Sequence, residues 1–242
     1  EIRPRDWSSD VCSSDLDGLG DPETAGLMRD AGIDIAVDLN GHTGGARTSL
    51  FSHRPAPIQV NYLGYPSTAG APYFDYIIGD PTVIDEDGKA CCVEKVASLP
   101  GSFLTAQRDR QLPAHMPTRA ACGLPEGAVV FCCWNNPYKI TPPVFGGWMR
   151  ILHAVPGSVL LLRSYNDAAS ANLRGQARRR GVDAARLVFA PRMPFSDYLA
   201  WLRLADLFLD TFPYNAHATA GDALWAGLPL LTRRGASFAS RV

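Results

Sequence analysis

The chain has 242 residues, of which 46% are hydrophobic and 19% charged, a composition typical of globular proteins and not of disordered ones. Its net charge of −1 gives no electrostatic footprint for nucleic acid, and no apolar run is long enough to predict a membrane span. The six cysteines show no C-x-x-C spacing, which argues against a zinc site or a disulfide framework. Reduced thiols in a cytoplasmic protein are the simpler interpretation.

The first sixteen residues differ from the rest of the chain. Residues 5–16 are dense in Ser and Asp, lack periodicity and resemble the conceptual translation of a sequencing-library adapter. We therefore exclude residues 1–16 from the fold, like any expression scar; a genuine disordered N-terminus is the alternative. On this interpretation the protein is cut at that junction. Because residues 240–242 resemble the opening of a helix, we expect a fragment at both ends.

The next part of the chain alternates between helix and strand signals. Asp21 as an N-cap and Pro22 at the first position predict a helix, which Gly32 ends. The predicted strands are residues 33–39, 58–63 and 76–78. Polar loops at 40–47 and 64–68 follow the first two strands on the same side. The first loop is Gly-rich, yet it lacks the spacing of a P-loop or of G-x-G-x-x-G.

Residues 81–127 contain Pro and Gly throughout and are predicted to be irregular, with the sheet edge and a linker among them. A second run of alternating elements follows. Its predicted strands are residues 129–133, 158–162, 187–189, 207–209 and 228–232. Its predicted helices begin after Thr141 and span residues 167–180 and 195–204. Strands that alternate with helices predict an α/β fold with a parallel, doubly wound sheet.

The stretch 205–227 carries the clearest local signal for a binding site. A predicted buried strand leads into a turn-rich loop that carries His217 and Thr219. A predicted helix begins after these residues and ends at Gly227. Helix N-termini present unpaired N–H groups that suit phosphate, and ligands of open parallel sheets bind where strands end. An ordinary strand–loop–helix joint with an exposed His217 carries equal weight on this pattern alone.

Several motifs occur together in a fixed order. They are Asp38-Leu39-Asn40-Gly41-His42-Thr43, residues 54–59 (Arg-Pro-Ala-Pro-Ile-Gln), residues 63–66 (Leu-Gly-Tyr-Pro), Tyr138-Lys139-Ile140 and the stretch 205–227. In this order and spacing they resemble the catalytic region of the O-linked N-acetylglucosamine transferase family, including its bacterial and Spindly-like members. The resemblance runs from about residue 20 to the end of the chain.

The resemblance implies a GT-B fold, in which two Rossmann-like domains follow an array of tetratricopeptide repeats in the parent. Residues 17–118 would then hold the later part of an incomplete first domain and a linker, and residues 119–242 a truncated donor-binding domain. The implied reaction is the inverting, metal-independent transfer of N-acetylglucosamine from UDP-N-acetylglucosamine to Ser or Thr of proteins in the cytoplasm. The implied partners are a nucleotide sugar and a protein or peptide acceptor. No cofactor, metal, nucleic acid or membrane is implied.

The resemblance also assigns roles to residues around the leaving diphosphate. Lys139 matches the family's lysine on the diphosphate and is the expected electrostatic catalyst, because a metal-free enzyme must stabilise the departing charge with cations and N–H donors. On its own it would be a solvated loop lysine. His217 and Thr219 match residues that hold the phosphates. Asp222 matches the residue that bonds the ribose hydroxyls, although a simple first-turn helix acid is the alternative.

Further residues complete the implied donor site. His42 is expected to line the sugar side of the cleft, and a loop-stabilising histidine has equal weight. Tyr65 and Pro66 would shape the sugar or acceptor pocket, or only pack. Asn136 and Tyr198 are expected at the donor, with Tyr198 stacked on the base. The other histidines without a motif are expected to be structural or at the surface: His53, His115 and His153.

The sequence departs from the family at several positions. Ala218 stands where a second threonine is typical, and Asn136 replaces the glutamine of the animal enzymes. Phe195 and Tyr198 stand where those enzymes use Lys and His. The family's upstream catalytic histidine would precede residue 17, so the chain as given is predicted to be inactive. Alternatives within the fold are a GDP-fucose donor or an asparagine acceptor, and a different class is a non-catalytic sugar-nucleotide binder.

Overall fold

The structure, a computed structural model, describes residue 16, residues 18–106 and residues 109–242. The chain forms two compact units, of which the first ends at Phe103 and the second begins at Leu104. The sequence assigned residues 17–118 to the first domain together with a linker, and residues 119–242 to the second domain; those bounds stay predictions. The proposed adapter segment lies almost wholly outside the described residues.

The first unit contains a parallel sheet whose four strands lie side by side in chain order. Its strands are β1 (Ile35–Asp38), β2 (Ile58–Asn61), β3 (Tyr76–Gly79) and β4 (Lys95–Ser98). Its helices are α1 (Asp21–Asp30), α2 (Thr48–Ser52) and α3 (Glu86–Lys89). One apolar cluster consists of Ala36, Phe51, Ala56, Ala69 and Phe74, and further buried apolar side chains of this unit are Val60, Ile77, Val83, Ile84 and Phe103.

Two expectations for this unit need correction. The region 81–127 is not wholly irregular, because β4 pairs in parallel with β3, but the expectation that an edge of the sheet lies in this region is confirmed. The strand is only four residues long and none of them is fully buried, so it has no clear hydrophobic pattern. Asp21 is the first residue of α1 and Gly20 is its N-cap. The Asp21 carboxylate instead pairs with the Arg47 guanidinium at 2.7 Å.

The second unit contains a five-stranded parallel sheet in the order β7-β6-β5-β8-β9. The strands are β5 (Val130–Cys133), β6 (Val159–Arg163), β7 (Leu187–Ala190), β8 (Leu207–Leu209) and β9 (Leu230–Leu231). The helices are α4 (Pro142–Ala154), α5 (Asp167–Arg179), α6 (Phe195–Leu202) and α7 (Ala218–Trp225). The predicted alternation of strands and helices is confirmed, with β9 and α6 shorter than expected.

The core of the second unit is much larger than that of the first. All four residues of β5 and the first four of β6 are buried, as expected for central strands covered on both faces. Helix α4 adds an apolar face of Phe145, Trp148, Met149 and Leu152. Thr141 is the N-cap of α4 by position, but its hydroxyl donates to the Phe212 carbonyl at 3.3 Å and not to the helix.

No helix in the described part of the chain is both long and apolar enough to cross a membrane. The residues 240–242, which the sequence suggested as the opening of a helix, coincide with the end of a short 3-10 turn, Phe238–Ser240.

Candidate functional site

The strand order of the second unit places two loops at a topological switch point. The chain runs outward from β5 through β6 to β7 and then returns to the other side of β5 as β8. The loop after β5 and the loop after β8 therefore leave adjacent strand ends in opposite directions. Crevices at such points are where open α/β sheets bind their ligands. The first unit, whose described strands follow in chain order, has no such reversal among them.

Asp210, at the end of β8, joins these two loops. Its carboxylate accepts hydrogen bonds from the Asn135 side chain at 3.0 Å and from the backbone N–H groups of Thr211 and Ala216 at 2.7 Å each. The Thr232 hydroxyl donates to its second oxygen at 2.6 Å. One carboxylate thus fixes the shape of the loop that leads to α7. No motif in the sequence marks Asp210, because its four partners are spread over three loops.

Lys139 extends from the loop after β5 towards the loop after β8. Its Nζ donates to the Asn215 carbonyl at 2.9 Å and lies 3.9 Å from the centroid of the Tyr214 ring. Burial lowers the pKa of Lys139, and the nearby Asp210 carboxylate opposes that shift. An ammonium has three donors, so this carbonyl does not exhaust it. Asn136 lies in the same loop, where its carbonyl accepts the Lys139 N–H at 2.9 Å.

His217 is the N-cap residue of α7 and packs edge-on against Tyr214, with ring centroids 5.0 Å apart. Its Nε2 lies 3.1 Å from the Ala239 carbonyl. Because a carbonyl only accepts, Nε2 must carry the hydrogen, which leaves Nδ1 as the acceptor of the neutral ring. Burial lowers the pKa of His217. Tyr214 therefore lies between two predicted phosphate-site residues, Lys139 and His217.

The first turn of α7 follows directly. Its leading N–H groups lack intrahelical acceptors by the geometry of any helix, and the helix dipole adds partial positive charge there. Thr219 lies in this turn and is partly buried, whereas Ala218 is exposed and offers no hydroxyl. The arrangement supplies a cation and N–H donors to an anion.

A cavity of about 310 Å³ borders the same end of α7. It is lined by Trp134, Arg163, Pro191, Met193, Phe195, Tyr198, Thr219 and Asp222. Three of these are predicted site residues, namely Tyr198, Thr219 and Asp222. No motif in the sequence marks Trp134, Arg163 and Met193, which come from three different segments. The wall combines three aromatic rings with charged and hydroxyl side chains, which suits a flat heterocycle that carries hydroxyls.

Asp222 is tightly held at the edge of this cavity. The Arg110 guanidinium contacts Oδ1 at 2.6 Å, and the Tyr198 hydroxyl donates to Oδ2 at 3.1 Å. Burial raises the pKa of Asp222, and Arg110 and Tyr198 oppose the shift. Burial and the neighbouring Asp222 raise the pKa of Tyr198. No sequence signal could have paired Arg110 with a residue 112 positions away.

The first unit brings together the other predicted site residues, His42, Tyr65 and Pro66. His42 is exposed, its Nε2 lies 2.9 Å from the Ala69 carbonyl, and its ring meets that of Tyr65 edge-on at 5.1 Å. Pro66 is buried. Gly41 has a φ of +55°, and a Cβ there would lie 2.5 Å from the Cβ of Tyr65. These contacts fit the loop-stabilising alternative for His42, and its expected place on the sugar side stays a prediction.

The loop that carries Tyr65 is anchored by a buried carboxylate, Glu94. It accepts the Asn61 side chain at 3.2 Å, the Thr68 hydroxyl at 2.5 Å and the Ala69 N–H at 2.6 Å. Only 4% of the surface of Glu94 is exposed, its bonds to Asn61 and Ala69 are buried, and its bond to Thr68 is partly buried. Glu94 thus ties the end of β2 to this loop within the first unit.

The remaining histidines and cysteines show no catalytic arrangement in the described residues. His153 bonds the Arg180 carbonyl at 2.9 Å, which fits a structural role. The five cysteines of the described segments are free thiols, and burial raises the pKa of both Cys132 and Cys133. Over those segments no cluster of three or more His, Cys, Asp or Glu side chains could hold a metal ion.

Comparison with known proteins defines the class of this protein. The sequence pattern of Glycosyl transferase family 41 matches residues 13–122 and 105–242, so the chain belongs to this family. Two plant relatives are each 35% identical over 94% of the chain: the probable UDP-N-acetylglucosamine–peptide N-acetylglucosaminyltransferases SEC and SPINDLY of Arabidopsis thaliana. The chain covers 24% of SEC and 25% of SPINDLY, about a quarter of their length.

A solved structure supports the same assignment. An O-GlcNAc transferase mutant of Thermobaculum terrenum is 35% identical and matches 92% of this chain with a TM-score of 0.82, over 42% of its own chain. The predicted fold class, α/β with two Rossmann-like units of the GT-B type, is confirmed. The resemblance to the O-linked N-acetylglucosamine transferases is confirmed as well.

Proposed function

We propose that the second unit binds the nucleotide of UDP-N-acetylglucosamine. We propose further that the protein carrying this chain transfers the sugar to Ser or Thr hydroxyls of other proteins. The observation that carries the proposal is the meeting of Lys139 and the N-terminus of α7 at the switch point of a family 41 sheet. The names of SEC and SPINDLY support this donor over GDP-fucose.

The proposed chemistry follows from the charge of the leaving group. As the bond between the sugar and the diphosphate breaks, negative charge accumulates on the diphosphate. The Lys139 ammonium and the first N–H groups of α7 would stabilise that charge in place of a metal ion. Thr219 would add a hydroxyl donor, and His217 would add a second one at Nδ1 once it is protonated. Neither a cofactor nor a metal takes part in this proposal.

The nucleoside would occupy the cavity beside α7. Tyr198, Phe195 and Trp134 offer aromatic faces to a pyrimidine, and the Asp222 carboxylate accepts from ribose hydroxyls. Asn136 would contact the donor from the Lys139 loop. In the first unit, His42, Tyr65 and Pro66 are proposed for the sugar or acceptor side. A cytoplasmic location and tetratricopeptide repeats in the parent remain predictions.

Nucleotide binding is the first test, because it needs only this chain. Isothermal titration of the 242-residue protein with UDP should give saturable binding that Asp222→Ala weakens by at least about tenfold, the usual loss for a charged hydrogen-bonding group. GDP should bind more weakly, since the cavity would have to admit a larger base. A well-folded chain with no affinity for UDP would refute the proposal.

Sugar transfer is the second test and needs a full-length protein that contains this chain. Radiolabelled UDP-N-acetylglucosamine should label acceptor proteins, and alkaline β-elimination should release the sugar from Ser or Thr. GDP-fucose should give no labelling. Labelling from GDP-fucose alone, or a bond that resists β-elimination, would favour the fucosyl or asparagine alternatives. UDP binding without transfer would favour a sugar-nucleotide binder.

A further inference from the structure

Arg110 lies in the segment that precedes the second sheet, a region that the sequence predicted to be a linker. Its side chain is only 7% exposed, and the Asp222 side chain that it contacts is 13% exposed. A buried ion pair of this kind is costly to form unless its geometry is good, and removing one partner leaves an uncompensated charge. The pair therefore constrains where the Asp222 carboxylate lies.

Two aromatic rings hold the guanidinium in place. The Arg110 Cζ lies 5.9 Å from the centroid of Phe195, at the start of α6, and 5.8 Å from that of Trp225, at the end of α7. Arginine prefers such stacked positions, because its planar group is weakly hydrated and keeps its donors in the guanidinium plane. The aromatic contacts thus orient the N–H groups that meet Asp222.

The Asp222 carboxylate keeps acceptor capacity in this arrangement. An ionised carboxylate has about four lone-pair sites, two on each oxygen. Among the described residues, Arg110 uses a site on Oδ1 and Tyr198 uses a site on Oδ2, so one site on each oxygen remains. Asp222 also lines the cavity of about 310 Å³. A carboxylate with a free site on each oxygen can accept hydrogen bonds from two vicinal hydroxyls, one on each oxygen.

We propose that Arg110 is a positioning residue that fixes Asp222 to bind both ribose hydroxyls, so that the site selects ribonucleotides over 2′-deoxyribonucleotides. This inference rests on the proposed function, since it concerns the same nucleoside cavity. Without Arg110, the buried carboxylate would lose its charge partner and its orientation, and the distinction between ribose and 2′-deoxyribose would disappear.

The test compares the affinities of UDP and 2′-deoxy-UDP by isothermal titration. The wild-type chain should prefer UDP by about tenfold, the usual effect of one hydrogen bond to a charged group. In Arg110→Gln the UDP affinity should fall towards that for 2′-deoxy-UDP, so that their ratio approaches one. Arg110→Lys should recover part of the ratio, because it restores the charge without the planar fork.

Arg180→Gln is the matched control, because Arg180 also lies over a ring, at 5.6 Å from the Phe145 centroid, but its guanidinium bonds Gln176 and not Asp222. It should leave both affinities unchanged. Thermal unfolding must show that each variant is folded. If Arg110→Gln does not fold, Tyr198→Phe removes the second orienting bond with little change in volume and should lower the ratio by a smaller factor.

Two outcomes separate this inference from the proposed function. In the first outcome, the wild-type chain binds UDP, and the folded Arg110→Gln variant keeps the full preference for UDP over 2′-deoxy-UDP. The inference is then wrong and the proposed function stands. Tyr198→Phe serves for this comparison if Arg110→Gln does not fold. Equal wild-type affinities for UDP and 2′-deoxy-UDP would also overturn the inference and leave the proposed function standing. If the wild-type chain binds neither nucleotide, both are wrong.

Discussion

In the first unit, the loop after β2 is anchored by Glu94, which accepts hydrogen bonds from Asn61, Thr68 and Ala69. In the second unit, the loops after β5 and β8 are also tied by a carboxylate, Asp210, but they present Lys139 and the start of α7 beside a cavity. The difference teaches that a carboxylate can anchor one loop to its own strand, or join two loops so that a cation and a helix N-terminus lie beside a cavity.

The two units also differ in the size of their cores. The buried apolar cluster of the second unit includes every residue of β5 and most of β6. The described cluster of the first unit has five members, and others of its buried apolar side chains, such as Ile77 and Phe103, lie outside that cluster. Catalytic and binding groups need a rigid support to hold their geometry. The second unit therefore combines the rigid core with the available polar groups.

The largest expected effect tests the core of the second unit. Phe208 is completely buried in β8, so Phe208→Ala should lower the free energy of unfolding by about 3–5 kcal/mol through lost burial and a cavity. Urea unfolding followed by tryptophan fluorescence measures this, because the four tryptophans of the described residues lie in the second unit. Leu224→Ala, at a side chain 62% exposed, is the control and should change stability little. Equal effects would contradict the assigned core.

The next effect tests the Lys139 ammonium of the second unit. Lys139→Met in a full-length protein should lower kcat by about a hundred- to thousandfold, the usual cost of removing one group that stabilises transition-state charge. The loss should appear mainly in kcat, with KM changed less. Steady-state kinetics with UDP-N-acetylglucosamine measures both, and Lys89→Met, which removes a half-exposed lysine paired with Glu86, is the control. Wild-type kcat in Lys139→Met would remove the main support for the proposed mechanism.

A smaller effect tests the loop after β2 in the first unit, which Glu94 anchors. Glu94→Gln keeps the shape of the side chain but places an amide donor near Asn61, Thr68 or Ala69, so at least one buried bond is lost. We expect a destabilisation of about 1–3 kcal/mol. Hydrogen exchange read by mass spectrometry over residues 58–79 should show faster exchange. Glu86→Gln, at a side chain 89% exposed, is the control; if it has the same effect, Glu94 has no special role.

The smallest effect concerns the protonation of His217. Burial lowers its pKa in the free chain, and a bound diphosphate would raise it, so binding takes up a proton. His217 then has a higher pKa with UDP bound than in the free chain. Between these two pKa values, UDP affinity should increase as pH falls, by up to about tenfold. The terminal phosphate of UDP also titrates in this pH range. The measured quantity is therefore the ratio of the UDP affinities of the wild type and His217→Gln. A ratio that does not vary with pH would mean that His217 does not contact the phosphates.

The sequence predicted those parts of the fold that depend on local pattern. The strand β8 has the predicted bounds, because its apolar run stands between polar turns. The helix α7 begins earlier than predicted, at Ala218, so Thr219 lies in its first turn and not in the preceding loop. The strand β4 was missed, because four partly buried residues among Pro and Gly give no period. The N-cap of α1 was misplaced by one residue, since Asp21 pairs with Arg47 and does not cap the helix.

The candidate site was predictable to the extent that it depends on motifs. Lys139, His217 and Asp222 were found through the order of the family motifs, which local pattern alone did not distinguish from ordinary loop residues. Asp210 and Arg110 were not found, because their roles exist only after distant segments have folded together. Arg110 contacts the predicted residue Asp222, whereas Asp210 joins the loops that carry Lys139 and His217.

The strand order of the second unit has a consequence for biosynthesis. The central strand β5 is the first strand of this sheet to leave the ribosome, yet its partner at one edge, β8, follows about 76 residues later. At about 5–20 residues per second, that edge of β5 stays unpaired for about 4–15 seconds. An apolar strand with an open edge is a template for pairing with another nascent chain. Slower translation would lengthen this interval, and a chaperone that covers β5 would shield the nascent chain during it.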